Sequence, residues 1–177
     1  QQWGTNGDQL LAQLHPKVSA TPQGGPACIA AEDRSNPNHP VTFMHSPLAF
    51  GTLQLQLAMS VPDETGRLSY DAIDDTVQIN WSTDTATPSA MARQTSFNHL
   101  VAQNGGTEAP FIEGQIWHPL GGAVMGDACD EIGQLYGYRN LFVIDGSLLP
   151  GSAATVNPAL TVAANAERVM EALIPSL

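Results

Sequence analysis

The chain has 177 residues, with 6 basic against 17 acidic side chains and a net charge of −11 at neutral pH. So few cations exclude nucleic-acid phosphates and anionic membrane surfaces as partners. With 42% hydrophobic and 13% charged residues the chain is not disordered, and no apolar run reaches the about 20 residues of a membrane helix.

The chain opens on Gln1-Gln2-Trp3-Gly4 without a basic or apolar leader, which reads as a trimmed, processed or cut start. Leu173–Leu177 reads as a natural end. Asp8–Leu14 is expected as a short helix with Leu10, Leu11 and Leu14 on one face. Pro and Gly crowd the stretch from Thr21 to Pro40, predicting loop. Strands are expected at Val41–Ser46, at Leu53–Val61, at Arg67–Tyr70 and from Val77 to Trp81. In the second, Leu53, Leu55, Leu57 and Met59 alternate with Gln54, Gln56, Ala58 and Ser60, the pattern of a half-buried antiparallel strand. A helix is predicted over 88–103, with Thr87 as cap, Pro88 in first position and Gly105 as stop. Its apolar positions are Ala90, Phe97, Leu100 and Val101. Glycine becomes dense after residue 113, around one compact strand, Leu141–Ile144. A last helix opens at Asn157-Pro158 and runs to Leu173, with Leu160, Ala163, Ala164, Val169 and Leu173 on one face. These elements predict an α+β chain divided near residue 113. Residues 1–113 form the strand-rich portion and 114–177 the Gly-rich return.

Cys28 and Cys129, far apart in sequence, make neither a disulfide framework nor a metal set; both read as small buried residues. No H-x-x-H, H-E-x-x-H or C-x-x-C spacing occurs, so no metal site is expected. No G-x-S-x-G elbow surrounds Ser147 or Ser152, which argues against a hydrolase triad.

His118 is the first chemical candidate. Pro119 holds it extended, and Gly121-Gly122 follow, where the backbone can approach a ligand. Such a histidine suits proton transfer near neutral pH, and equally a hydrogen-bonded place in a tight loop. Asn157 suits an N-cap, and also a ligand contact at a helix N-terminus that presents free N–H groups and a positive dipole. Asp145-Gly146 follows the Leu141–Ile144 strand, a place where cofactors bind in layered folds and where ordinary strand exits also lie. His15, His39 and His99 read as structural.

The order His118-Pro119-Leu120-Gly121-Gly122, Asn140 to Pro150, Asn157-Pro158 and Ala166-Glu167-Arg168 resembles the C-terminal part of the glucose–methanol–choline (GMC) flavin oxidoreductases. Trp3-Gly4-Thr5-Asn6-Gly7 and the hairpin before Asn80-Trp81 fit the bacterial cholesterol oxidase branch. The likeness is strongest over 117–171 and patchy over 15–45. It implies an antiparallel substrate-domain sheet with helices. It also implies a C-terminal strand and helix that complete a Rossmann-like FAD domain. The N-terminal half of that domain is expected as a separate chain or missing segment, since no G-x-G-x-x-G occurs here.

The implied reaction is oxidation of a hydrophobic or bulky secondary alcohol by hydride transfer to FAD. His118 and Asn157 are implied as catalytic. Asp145, Gly146, Asn157, Pro158 and Ala159 are implied as cofactor contacts. Met44 stands where the cholesterol oxidase branch carries a glutamate that isomerises the steroid double bond, three residues before Pro47. Met44 cannot move a proton, and His45 takes over only across a bulge or register shift. Ala123, often Cys in that branch, and an extra residue within 151–156 leave the substrate open. A sugar or aminoglycoside alcohol is the rival within the same chemistry. A non-catalytic fragment or accessory subunit acting as an interaction module is the rival of another class. The resemblance admits secretion, and the sequence leaves location open.

Overall fold

A computed structural model describes residues 2–17, 29–46, 51–63, 65–81, 86–110 and 117–176. Its strands are β1 (Gln2–Thr5), β2 (Gln9–Leu14), β3 (Ala30–Asp33), β4 (Val41–His45), β5 (Leu53–Ser60), β6 (Gly66–Asp71), β7 (Thr76–Asn80), β8 (Thr107–Ala109) and β9 (Pro119–Gly121). The α-helices are α1 (Pro88–Asn104) and α2 (Ala159–Leu173). Strand pairing within both sheets is antiparallel, so the class is α+β. No helix among the described residues is long and apolar enough to cross a membrane.

Two compact units form, and they interleave in sequence. One holds residues 1–6, 64–83 and 117–177; the other holds 7–63 and 84–116. The single cut near residue 113 expected from composition is therefore not where the contacts divide the chain. Segments 1–6 and 64–83 pair with the Gly-rich region through a four-stranded sheet of order β7-β6-β1-β9.

The second unit is a five-stranded sheet of order β3-β4-β5-β2-β8 with α1 on one face. Segment Asp8–Leu14, expected as a helix, is β2, flanked by β5 and β8. Its six-residue register with β5 satisfies a central strand, and tertiary pairing overrides the helical spacing of its leucines. The expected Thr21–Pro40 loop contains β3, while residues 18–28, Cys28 among them, and Pro47 lie outside the described residues.

Strand β5 departs from a half-buried strand in an instructive way. Its Ala58 joins Leu11, Val41 and Phe43 beneath Phe97 and Val101 of α1. So α1 covers the Ala58–Ser60 side that the alternation left as polar. On the other side Leu55 packs with Ala12 and Ala109, and Leu10 and Leu53 flank them. Both faces are used, so apolar alternation alone did not identify the covered one.

Helix α1 starts as the sequence predicts. Thr87 Oγ1 accepts the Ala90 N–H at 3.3 Å, Pro88 opens the helix, and Gly105 closes it at φ 69°. Asp63 adds a second anchor by accepting the Ser89 N–H at 2.7 Å. Burial pushes the Asp63 carboxyl up. The Ser89 N–H and hydroxyl, with His39 beside it, outweigh that and hold it below its usual value. Asp33 is held low by the Ser35 N–H and hydroxyl and by Ser96 of α1. Both carboxylates are depressed on folding, so their stabilisation is complete above the unfolded carboxylate value of about 3.9. It is lost as pH falls through the lower folded values. Urea midpoints should therefore fall between pH 6 and pH 3, and Asp63→Asn should flatten that decline while lowering the midpoint at pH 6.

In the first unit, α2 buries Val169 and Leu173 against Cys129 and Leu148, with Phe142, Val143 and Ile144 packed around them. Leu160, Ala163 and Ala164, expected on the buried face, are exposed; Leu160 is 82% exposed. Segment Leu141–Ile144 is not a sheet strand. It makes one bridge, Gln134↔Phe142, and the Val143 N–H is taken by the Gly133 carbonyl at 2.9 Å. The preceding Asn140 sits at φ 58°, which breaks an extended run on its N-terminal side. The expected C-terminal strand is thus replaced by an irregular segment that still delivers three apolar side chains to the α2 core.

Candidate active site

Strand β1 is the centre of the site. It pairs with β9 through Trp3↔Gly121, Gly4↔Leu120 and Thr5↔Pro119. Asn6 directly follows β1 and His118 directly precedes β9, so both flank the Thr5↔Pro119 end of this pairing. His118 is half-buried just before β9, and Trp117 beside it is exposed.

Asn6 is wholly buried. Its Nδ2 donates to the Val156 carbonyl at 2.7 Å, and its Oδ1 accepts the Ala153 N–H at 2.7 Å. The Ser152 hydroxyl donates to the same Oδ1 at 3.5 Å. One side chain therefore holds the 152–156 segment that leads directly into Asn157. His118, some forty residues upstream in sequence, is brought to the same end of β1 by strand pairing. These two constraints make a common neighbourhood of His118 and the approach to Asn157.

Gly4 completes the arrangement. A Cβ there would collide with the Gly151 backbone, its carbonyl oxygen first and its Cα at 2.8 Å. The 150–151 bend thus lies flat on β1, and only glycine leaves room for it. Gly151 itself sits at φ 69°. Ala154, at φ 59°, carries a side chain in the same left-handed region, within the segment that Asn6 clamps.

Asp145 does not leave a sheet strand. It caps a 3₁₀ turn over Gly146–Leu148, its Oδ1 accepting the Ser147 N–H at 2.8 Å. Gly146 lies against β9 and α2: a Cβ there would stand 3.2 Å from Leu120 Cδ2 and 3.7 Å from Val162 Cγ2. Further bonds tie this turn to the chain after β9, with Ala123 N–H to Ser147 carbonyl at 3.0 Å and Met125 N–H to Leu148 carbonyl at 3.3 Å.

Asn157 is not the N-cap of α2. That place is taken by Pro158, whose side chain makes no cap hydrogen bond. The first turn also carries no acid. A helix N-terminus directs its first N–H groups and positive dipole outward, and no carboxylate of its first turn neutralises them here. Asn157 and Ala159 are exposed at this end and Pro158 is buried. An electron-rich ligand edge fits such an end.

Met44 and His45 belong to the other unit, and their strand is regular. Pairing of β4 with β5 runs unbroken from Val41↔Ser60 to His45↔Gln56, with Met44 opposite Leu57. No bulge or slip interrupts it. Met44 therefore shares the leucine side of the sheet, and His45 shares the α1 side with Phe43. His45 thus faces the side of the sheet opposite Met44. Its Nδ1 is buried and has no hydrogen-bond partner among the described residues.

The residue that sequence reasoning missed is Asn6. It stood in the quoted motif Trp3-Gly4-Thr5-Asn6-Gly7, and its signal was an asparagine between two glycines. Its task became visible only with its partners nearly 150 positions away.

Comparison with known families settles where this architecture belongs. A family model described as GMC oxidoreductase matches residues 62–166, more than half of the chain. The chain belongs to the GMC oxidoreductase family. A second model, GMC oxidoreductase, C-terminal, matches residues 6–112 of this GMC chain. The chain is also similar to the cholesterol oxidases of Mycobacterium tuberculosis strains CDC 1551 / Oshkosh and ATCC 25618 / H37Rv. It is 45% identical to each over 56 residues, which is 29% of this chain and 10% of each relative. The match thus spans a tenth of the length of those oxidases.

Proposed function

We propose that this chain is the C-terminal portion of an FAD-dependent oxidoreductase acting on CH–OH groups. Its substrate is a hydrophobic or bulky secondary alcohol, as in cholesterol oxidase. The nucleotide-binding half comes from another segment or chain. The observation that carries the reading is the gathering of His118 and the approach to Asn157 at one end of β1, held by Asn6.

The residues present fit a flavin. Helix α2 offers an N-terminus whose first turn carries no acid, and the Asp145-capped turn at Gly146 lies against the β9 residue Leu120 and the α2 residue Val162. Bound FAD supplies the hydride acceptor. The other tasks fall to this chain. His118 orients the substrate hydroxyl and takes its proton as the C–H bond is broken. Asn157 donates a hydrogen bond where substrate and cofactor meet. The backbone N–H groups from Ala159 onward and the helix dipole at Pro158-Ala159 favour negative charge developing at that edge, already oriented before reaction. Asp145 fixes the turn that sets the Gly146 backbone. The exposed Leu160 and Val156 near the start of α2 agree with a surface that a nucleotide-binding half covers.

Steroid isomerisation is not part of the proposal, because Met44 carries no proton and His45 faces the opposite side. The test is anaerobic mixing of the assembled flavoprotein with a 3β-hydroxysterol and, separately, with a sugar and an aminoglycoside alcohol. Flavin bleaching by the sterol supports the reading. Bleaching only by the polar alcohols moves the substrate class. A colourless protein with no flavin-bearing partner overturns it in favour of an interaction module.

A further inference from the structure

We propose that Arg93 is a positioning residue: it fixes Gly7 against β5, and through Gly7 it sets the Asn6 clamp on the approach to Asn157. Its effect on rate rests on the function proposed above; its effect on the clamp does not.

Arg93 lies in the second turn of α1, and the helix delivers it to one place. Thr87 and Asp63 fix the helix start, and Phe97, one turn further on, is wholly buried. The Arg93 Nε donates to Gln9 Oε1 at 2.7 Å. Its Nη1 donates to the Gly7 carbonyl at 3.1 Å and to the Ser60 hydroxyl at 3.0 Å. Gln9 opens β2, and Ser60 closes β5 and is wholly buried. A guanidinium is planar, with its donors in fixed directions, so acceptors gathered by one fork are held relative to one another.

Gly7 is the residue that such a fork can govern. Glycine has the widest backbone freedom of any residue, so its surroundings must choose its conformation. Here it stands at φ 57°. A Cβ at Gly7 would stand 2.6 Å from Ser60 Oγ, 3.1 Å from the Ser60 carbonyl and 3.5 Å from Arg93 Nη1. Ser60 takes the space beside Gly7, and Arg93 takes its carbonyl.

Asn6 directly precedes Gly7. The Thr5↔Pro119 pair holds the chain just before Asn6, and Arg93 holds it just after. The bonds from Asn6 to the Ala153 N–H and the Val156 carbonyl are both 2.7 Å, and such bonds weaken steeply as their angles open. Without the guanidinium Gly7 can rotate, the Asn6 amide drifts from its partners, and the segment leading into Asn157 loosens.

Arg93→Met keeps the apolar stem and removes every donor. In the assembled flavoprotein, hydrogen exchange over residues 152–156, read by mass spectrometry, should speed roughly tenfold as this segment opens locally. The limiting rate of flavin reduction at saturating alcohol should also fall roughly tenfold, within the about 10²-fold that a 1 Å misplacement can cost. The half-saturating alcohol concentration should stay unchanged. Arg93→Lys keeps a donor for the Gly7 carbonyl and the Ser60 hydroxyl, so it should recover most of both losses. Ser96→Ala removes a hydrogen bond to Asp33 from the same helix and spares the acceptors of Arg93. It should lower the urea midpoint and leave exchange and rate alone, which separates a loosened α1 from a lost fork. If circular dichroism shows Arg93→Met unfolded, Gln9→Leu removes the Nε acceptor alone and should move both readouts the same way by a smaller factor. His118→Ala tests the functional reading separately. If reduction is unchanged there, that reading falls, and exchange over 152–156 alone decides the role of Arg93. Exchange no faster in Arg93→Met than in Ser96→Ala overturns the proposal. So does an unchanged rate in Arg93→Met where His118→Ala is slowed, or a loss that Arg93→Lys does not recover.

Discussion

Asn6→Ala should lower the stability of the chain by about 3 kcal/mol, because two buried backbone groups lose their partner and each such loss costs roughly 1–3 kcal/mol. The Ala153 N–H and the Val156 carbonyl both rest on this one side chain at 2.7 Å. Alanine offers neither group, and burial keeps water from replacing them. The amount is a large share of the about 5–15 kcal/mol net stability of an ordinary domain. Urea denaturation should show a lower midpoint at an unchanged slope. Asn6→Asp should not rescue it. A carboxylate still accepts the Ala153 N–H but turns an acceptor toward the Val156 carbonyl, and burying that charge adds a cost. A midpoint within experimental scatter of the parent would show that the 152–156 segment is held by something other than Asn6.

His118→Ala should lower the rate of flavin reduction by alcohol in the assembled enzyme by roughly 10²–10⁴-fold, the usual contribution of a positioned acid–base group. The loss should fall mainly on the chemical step, with cofactor content unchanged, because the proposed cofactor contacts come from Asp145, Gly146 and residues 157–159 and not from His118. His118→Asn keeps a hydrogen-bonding group that cannot take up the hydroxyl proton, so it should restore binding more than rate. An unchanged rate in His118→Ala would remove this residue from the mechanism and leave it as a loop histidine. Asn6→Ala should affect the same rate indirectly, through misplacement of Asn157, and its loss should track the fraction unfolded more closely.

Much of the fold could be read locally. Thr87, Pro88 and Gly105 set the ends of α1 within a residue, since capping and φ requirements are properties of neighbours in sequence. Strands β4 to β7 followed from period-two patterns and from turns rich in Pro, Asp and Gly. The family was legible in the segments around His118, Asp145 and Asn157, and the family models agree. Where reading failed, tertiary pairing had overridden local preference. Segment 9–14 has helix-like leucine spacing yet is the strand between β5 and β8. Segment 141–144 has strand composition yet joins no sheet, because Asn140 and its pairing with Gly133–Leu135 set its path. Asn157 has the identity of a cap but stands one residue outside it.

The sequence by itself determined the α+β class, the start and stop of α1, the span of α2 and the family. Each depends on caps, periodicity or short motifs, whose physics acts over a few neighbouring residues. Only the tertiary structure decided which face of β5 is covered by α1 and that Met44 and His45 point to opposite sides of an unbroken strand. It alone showed that Asn6 ties residues 152–156 to β1 beside His118. Those outcomes depend on register and on close approach between segments far apart in the chain, and a one-residue change of register exchanges every inward side chain for an outward one.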